Sequence, residues 1–106
     1  MHDWAAFEAE VARIISENPE PIAADTKDQV SDFLKLIRGR TRIPDDIGVN
    51  RYRSSLCISW DVLQFELYGD HLEIYRFRNL ATDIQHFPHL AGEPFPAEVE
   101  AALPLA

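Results

Sequence analysis

Glu66 and Glu73 are the residues of this sequence whose type and spacing come nearest to chemistry. Between them, Tyr68-Gly69-Asp70-His71 has the signature of a two-residue hairpin with glycine at the first central position, a type II′ turn, which sets Glu66 opposite Glu73 on adjacent antiparallel strands. Gln64, Tyr75 and the Tyr68/His71 pair then fall on the same face. Like charges facing each other across a ladder are unfavourable, so the pair calls for a cation, a basic partner, or a shared proton of the kind that raises one carboxyl pKa. An enzyme or small-ligand site made of Glu66, Glu73, His71 and Tyr75 would further need these groups to converge in a concave pocket. The plainer reading is a solvated outer face on which Arg78 or Lys35 reaches across to the acids.

Other reactive constellations are thinner. The histidines are His2, His71, His86 and His89. Zinc takes three or four ligands in a tetrahedron, and His86-Phe-Pro-His89 offers two that converge only if the chain turns at Pro88. No metal or other cofactor is expected. Ser54, Ser55 and Ser59 lie in a strand pattern without a nucleophile elbow, and Cys57, alternating with Leu56 and Ile58, reads as a small filler of the interior. The glycines stand singly, at Gly39, Gly48, Gly69 and Gly92, so there is no phosphate-cradling loop.

Arginines form a second feature. From residue 35 to 53, Lys35, Arg38, Arg40, Arg42, Arg51 and Arg53 face only Asp45 and Asp46, a local charge of +4 between two flanks of −6 each. Arg38 suits a helix C-terminus. Arg40 and Arg42 have no such role, and Arg51 and Arg53 share a strand parity that aims both to one side of Tyr52, a guanidinium patch fit for carboxylate or phosphate. Neutralisation by the protein's own acids is the competing reading.

These groups must be positioned by a chain of 106 residues, the size of one α+β domain spanning 1–106. Asp3 can cap a helix with Trp4, Phe7, Val11, Ile14 and Ile15 on its apolar face, and Asn18-Pro-Glu-Pro21 follows as a stiff connector. Thr26 with Gln29 three residues on has the capping-box pattern, and Val30, Phe33, Leu34 and Ile37 recur at helical spacing up to Gly39, a natural C′ residue. From Ile47 the apolar period becomes 2. Leu56, Ile58 and Trp60 alternate as one strand, Trp60-Asp61 is its end or a bulge before the next begins near Leu63, the hairpin pairs Phe65 with Ile74 and Leu67 with Leu72, and a further short strand covers Thr82 to Phe87. This predicts an antiparallel meander of three to five strands with two amphipathic helices packed on one face. Pro96 opens a short C-terminal helix through Val99 and Leu103.

A formal charge of −8 disfavours generic binding to nucleic acid and to anionic membranes. One cysteine permits no internal disulfide, and the start Met-His-Asp-Trp has no secretory pattern, so a cytoplasmic location is expected. By elimination, the expected function is a non-catalytic, cofactor-free interaction module, in the manner of an immunity protein, antitoxin or adaptor, with a protein partner or a second copy of itself. The residues expected to carry it are Arg40, Arg42, Arg51, Arg53, Glu66, Tyr68, Glu73 and Tyr75. The alternatives are the carboxylate site above and nucleic-acid binding through the band from Arg38 to Arg53, which needs the flanking acids to face away.

Overall fold

In a computed structural model, which describes residues 3–17, 21–78 and 81–103, the order of elements is α1 (Trp4–Glu17), α2 (Ala24–Arg40), β1 (Gly48–Tyr52), β2 (Ser55–Trp60), β3 (Leu63–Leu67), β4 (His71–Arg78), β5 (Ala81–Pro88) and α3 (Ala97–Ala102). The strands form one antiparallel sheet in the order β1-β2-β3-β4-β5, so each pairs with its neighbour in sequence. The predicted α+β arrangement is the observed one, with five strands. The connector at Asn18-Pro-Glu lies outside the described residues.

Alternation dictates which side of the sheet is buried. Leu56, Ile58, Phe65, Leu67, Leu72 and Ile74 share one face and are fully buried against Val30, Phe33 and Ile37 of α2, while α1 lays Phe7 and Val11 against β1. Phe33 meets Phe65 at 5.0 Å between ring centroids, and Trp60 stacks on Phe65 at 5.4 Å. Each such buried aromatic removes a large apolar area from water, so this row dominates the attachment of helix to sheet. Val99 of α3 and Leu103 close one end of the core.

Asp3 acts as expected: its Oδ1 accepts the N–H of Ala6 at 2.7 Å. The capping box of α2 does not form. The helix starts three residues earlier, its N-cap Ala23 makes no side-chain bond, and Thr26 and Gln29 turn inward instead. The Thr26 hydroxyl donates to the Tyr68 carbonyl (3.2 Å). Gln29, fully buried, accepts the Gly69 N–H at Oε1 (2.8 Å) and donates from Nε2 to His89 Nδ1 (3.0 Å) and the His71 carbonyl (3.3 Å). A donor at Nδ1 fixes His89 as the Nε2–H tautomer, and that N–H donates to the Glu93 carbonyl (3.0 Å). The pattern read as a local cap is thus a tertiary node binding α2 to the β3–β4 turn and to the end of β5.

Gly69 sits under this node with φ +100°, and a Cβ there would lie 2.7 Å from Thr26 Oγ1, so both backbone and space demand glycine. Gly39, by contrast, lies inside the last turn of α2, not at C′. The helix runs on to Arg40 and is closed by Thr41, whose N–H donates to the Ile37 carbonyl (3.0 Å). At α3, Pro96 is the extended N-cap residue and Ala97 the first helical one, a shift of one position.

Candidate functional site

No described helix packs on the sheet face opposite the core, and the predicted carboxylate pair lies there in the predicted register: Glu66 opposite Glu73, Gln64 opposite Tyr75. Cys57 of β2 stands beside Glu66 on one flank and His86 of β5 beside Glu73 on the other. The acids are not neutralised from Lys35, which stands on α2 behind the sheet, and the Arg78 side chain lies outside the described residues. Hydroxyl groups do the work instead. Tyr68 and Tyr75 both donate to Glu73 Oε1, at 2.7 and 3.0 Å, and Ser55 donates to Glu66 Oε2 at 2.6 Å. Each carboxylate thereby has its own donors, which is how two like charges persist across one ladder.

Protonation follows from these bonds. The Tyr68 hydroxyl, joined by that of Tyr75, holds the Glu73 carboxyl below its ordinary value against the opposing effect of burial. Burial, reinforced by the bonds to Glu73, pushes both phenols up. Burial also pushes the Cys57 thiol up to about 12, with the nearby Glu66 charge acting the same way, and the Gln64 amide donates to its sulfur at 3.5 Å. Such a thiol is no nucleophile at neutral pH.

Tyr68, His71 and His86 form a continuous stack, with centroids 4.1 Å apart for the first pair and 4.7 Å for the second. His71 Nδ1 is 2.6 Å from Asp70 Oδ1, and His86 Nδ1 lies 3.8 Å from Glu73 Oε2. His89 is on the other side of the sheet, in the Gln29 node, so the two histidines of His86-Phe-Pro-His89 do not converge. Among the described residues no three His, Cys, Asp or Glu side chains gather as a ligand set.

Beside the stack is a concavity of about 290 Å³ lined by Tyr52, Arg53, Ser54, Ser55, Glu66, Tyr68 and Tyr75. It brings together Arg53, Glu66, Tyr68 and Tyr75 of the predicted residues and leaves out Glu73 and His71. Glu66 is its charged floor, only 7% exposed. Tyr52 and Ser55 were not singled out from the sequence for this role. The signal for Ser55 was available, since a tight turn after Trp60 brings it level with Tyr68, diagonal to Glu66.

The arginines do not form the expected patch. Arg51 and Arg53 do not share a strand face, because β1 ends at Tyr52 and Arg53 enters the turn with φ +54°. Arg51 folds back, donating from Nε to the Arg53 carbonyl (2.8 Å) and from Nη1 to the Ile15 carbonyl at the end of α1 (3.4 Å). Arg53 places its guanidinium 5.8 Å from the centroid of the Tyr52 ring. Arg40 pairs with Glu100 of α3 (2.5 Å) and Arg38 with Glu8 of α1 (3.4 Å), so the protein's own acids take up both. Arg42 is exposed.

No protein-family model matches this chain, and no curated protein or solved structure does either. None of the described helices is long and apolar enough to cross a membrane.

Proposed function

We propose that this protein is a small interaction module, of the immunity-protein, antitoxin or adaptor kind, that takes a basic protein surface on the outer face of its sheet. The observation that carries the reading is the buried carboxylate of Glu66 at the floor of an aromatic-lined concavity. A lysine ammonium or arginine guanidinium entering there meets a charge already withdrawn from water, where a hydrogen-bonded pair is stronger than on an open surface. The tyrosine rings add a surface for the cation and its alkyl stem. Ser55, Tyr68 and Tyr75 are held by their bonds, so little side-chain freedom is lost on binding. Tyr52, Phe77 and Ile84, all exposed, supply apolar area around the charged centre, and the net charge of −8 steers a basic partner towards it.

The test is titration of isotope-labelled protein with short lysine- and arginine-bearing peptides, a glutamate-bearing peptide serving as control. The expected result is shift changes centred on Ser55, Glu66, Tyr68 and Tyr75, with affinity falling about tenfold or more in Glu66→Gln, which keeps an acceptor for Ser55, and falling with salt. Titrations indifferent to Glu66→Gln, or shifts confined to the helical layer, refute the reading.

A further inference from the structure

We propose that the outer edge of β5 pairs antiparallel with the same edge of a second copy of this chain, about a two-fold axis through Ile84, merging two five-stranded sheets into one. Among the described residues no strand pairs with the far side of β5, and Ala81 to Ile84, His86 and Pro88 are all exposed. The opposite edge, β1, is shorter, five residues against eight, and has α1 packed on its core face, so β5 is the longer edge offered to a partner. An eight-residue open edge is a template for another strand, one that proteins blunt with lysine, proline, inward-pointing charge or short length; here the devices among the described residues are Pro88 at the end and Asp83 on the inner side, and the strand carries no lysine.

The hydrogen-bond phase of the sheet shows which groups point outward. The N–H of His89 donates to the Asp70 carbonyl (3.2 Å) just beyond the β4–β5 ladder, and Phe77 of β4 donates to Val62 on the β3 side (2.9 Å). Alternation in an antiparallel ladder then makes Leu72–Phe87, Ile74–Gln85 and Arg76–Asp83 the hydrogen-bonded pairs. The N–H and C=O of Thr82, Ile84 and His86 therefore face away from β4, and Pro88, lacking an N–H, falls in the same outward series, where its loss is harmless.

Those outward groups are self-complementary in one register. With Ile84 on the axis, Thr82 bonds the second copy's His86, Ile84 bonds its own counterpart, and His86 bonds the second copy's Thr82. Because Tyr75 is opposite Ile84 within each chain, the outer face gains an unbroken row of Tyr75 and Ile84 from one copy and the same pair from the other. On the inner side Asp83 faces the second copy's Gln85. Arg76 Nη1 already donates to Gln85 Oε1 (2.5 Å), which leaves the Gln85 amide to donate to the opposing Asp83 carboxylate. Moving the axis to Asp83 would set two carboxylates face to face, and moving it to Gln85 would oppose Pro88 to Thr82 and forfeit a bond. One arrangement of the second copy thus satisfies both faces of the strand, which is the argument for self-pairing over capture of an unrelated strand. Two chains of charge −8 repel at a distance, so added salt should tighten this pairing, opposite to its effect on a basic partner.

The experiment combines sedimentation equilibrium of the full chain over a wide concentration range with residue-resolved amide exchange. The expected result is a reversible dimer in which the amides of Thr82, Ile84 and His86 are protected when concentrated and exchange rapidly when dilute. Ile84→Lys, which opposes two ammonium groups at the axis, and His86→Pro, which removes an outward N–H without touching the bonds to β4, should each weaken the dimer about tenfold or more while leaving the circular-dichroism spectrum unchanged. A chain monomeric at every concentration overturns the proposal, and so does a dimer that keeps these amides unprotected or survives Ile84→Lys. Because the concavity over Glu66 is tested separately with peptides, loss of one reading leaves the other standing.

Discussion

Replacing Gln29 by leucine asks whether the side chain is part of a local helix cap or of the node that joins three distant segments. Leucine keeps the volume and the helix propensity but removes the acceptor for the Gly69 N–H (2.8 Å) and the donor to His89 Nδ1 (3.0 Å). Gln29 and His89 are both buried, so water does not readily replace these bonds. A buried polar group left without its partner costs about 1–3 kcal/mol, and two of them set an expected loss of about 3–4 kcal/mol, a large part of the roughly 5–15 kcal/mol that holds a domain together. The third contact, to the His71 carbonyl at 3.3 Å, is long, and half-buried His71 lets water take its place. Were Gln29 instead the third helical residue of a capping box, it would contribute about 1 kcal/mol. Urea unfolding followed by circular dichroism separates the two, with Thr26→Val, expected to cost about 1 kcal/mol through its single bond to Tyr68, as the milder companion. A loss below about 1 kcal/mol for Gln29→Leu would refute the node as a stabilising element.

Gly69→Ala should destabilise by about 2–4 kcal/mol in the same assay, because it adds left-handed strain to a 2.7 Å clash with Thr26 Oγ1. For Glu73 the folded pKa lies below its ordinary value of 4.5, so the bonds from Tyr68 and Tyr75 contribute fully above about pH 4.5 and are lost as pH falls through the depressed value. Glu73→Gln should accordingly flatten the acid limb of stability against pH, and an unchanged limb would count against these bonds. Cys57, with a thiol pushed up to about 12, should react with a disulfide reagent at pH 8 many times more slowly in the native than in the urea-unfolded protein.

The sheet was legible because its signals are periodic and close together. Alternation fixes which face of β3 and β4 is buried, and the turn at Gly69 fixes the register, so the facing of Glu66 and Glu73 followed from local sequence. What was missed depended on residues far away. Thr26-x-x-Gln29 fits a capping box as well as it fits a node with residues some forty and sixty positions on, and only the packing of α2 over the hairpin decides between them. Parity carried Arg53 onto the face of Arg51 because nothing nearby marks a non-glycine residue at positive φ as the end of the strand. Gly39 looked like a terminator, yet Arg40 belongs to one further turn whose guanidinium finds Glu100, a partner contributed by the last helix. The donors of the carboxylate pair were visible as residue types, but their aim at particular oxygens is a matter of side-chain rotamers.

The node over Gly69 has a practical consequence for anyone wishing to attach something to this chain. Hairpin tips are ordinarily where a tag, a fluorophore or a whole domain can be spliced in, since a tip carries few obligations. Here the β3–β4 tip is sealed, its Gly69 amide held by a buried glutamine and its Cα pressed on a helix, so a splice at 69–70 would pull α2 off the sheet. The β2–β3 tip is the permissive one: Asp61 and Val62 stand exposed, tethered chiefly by the bond from the Asp61 N–H to Asp46 and by one backbone bond to Phe77. A label placed there sits at the end of the sheet away from Glu66.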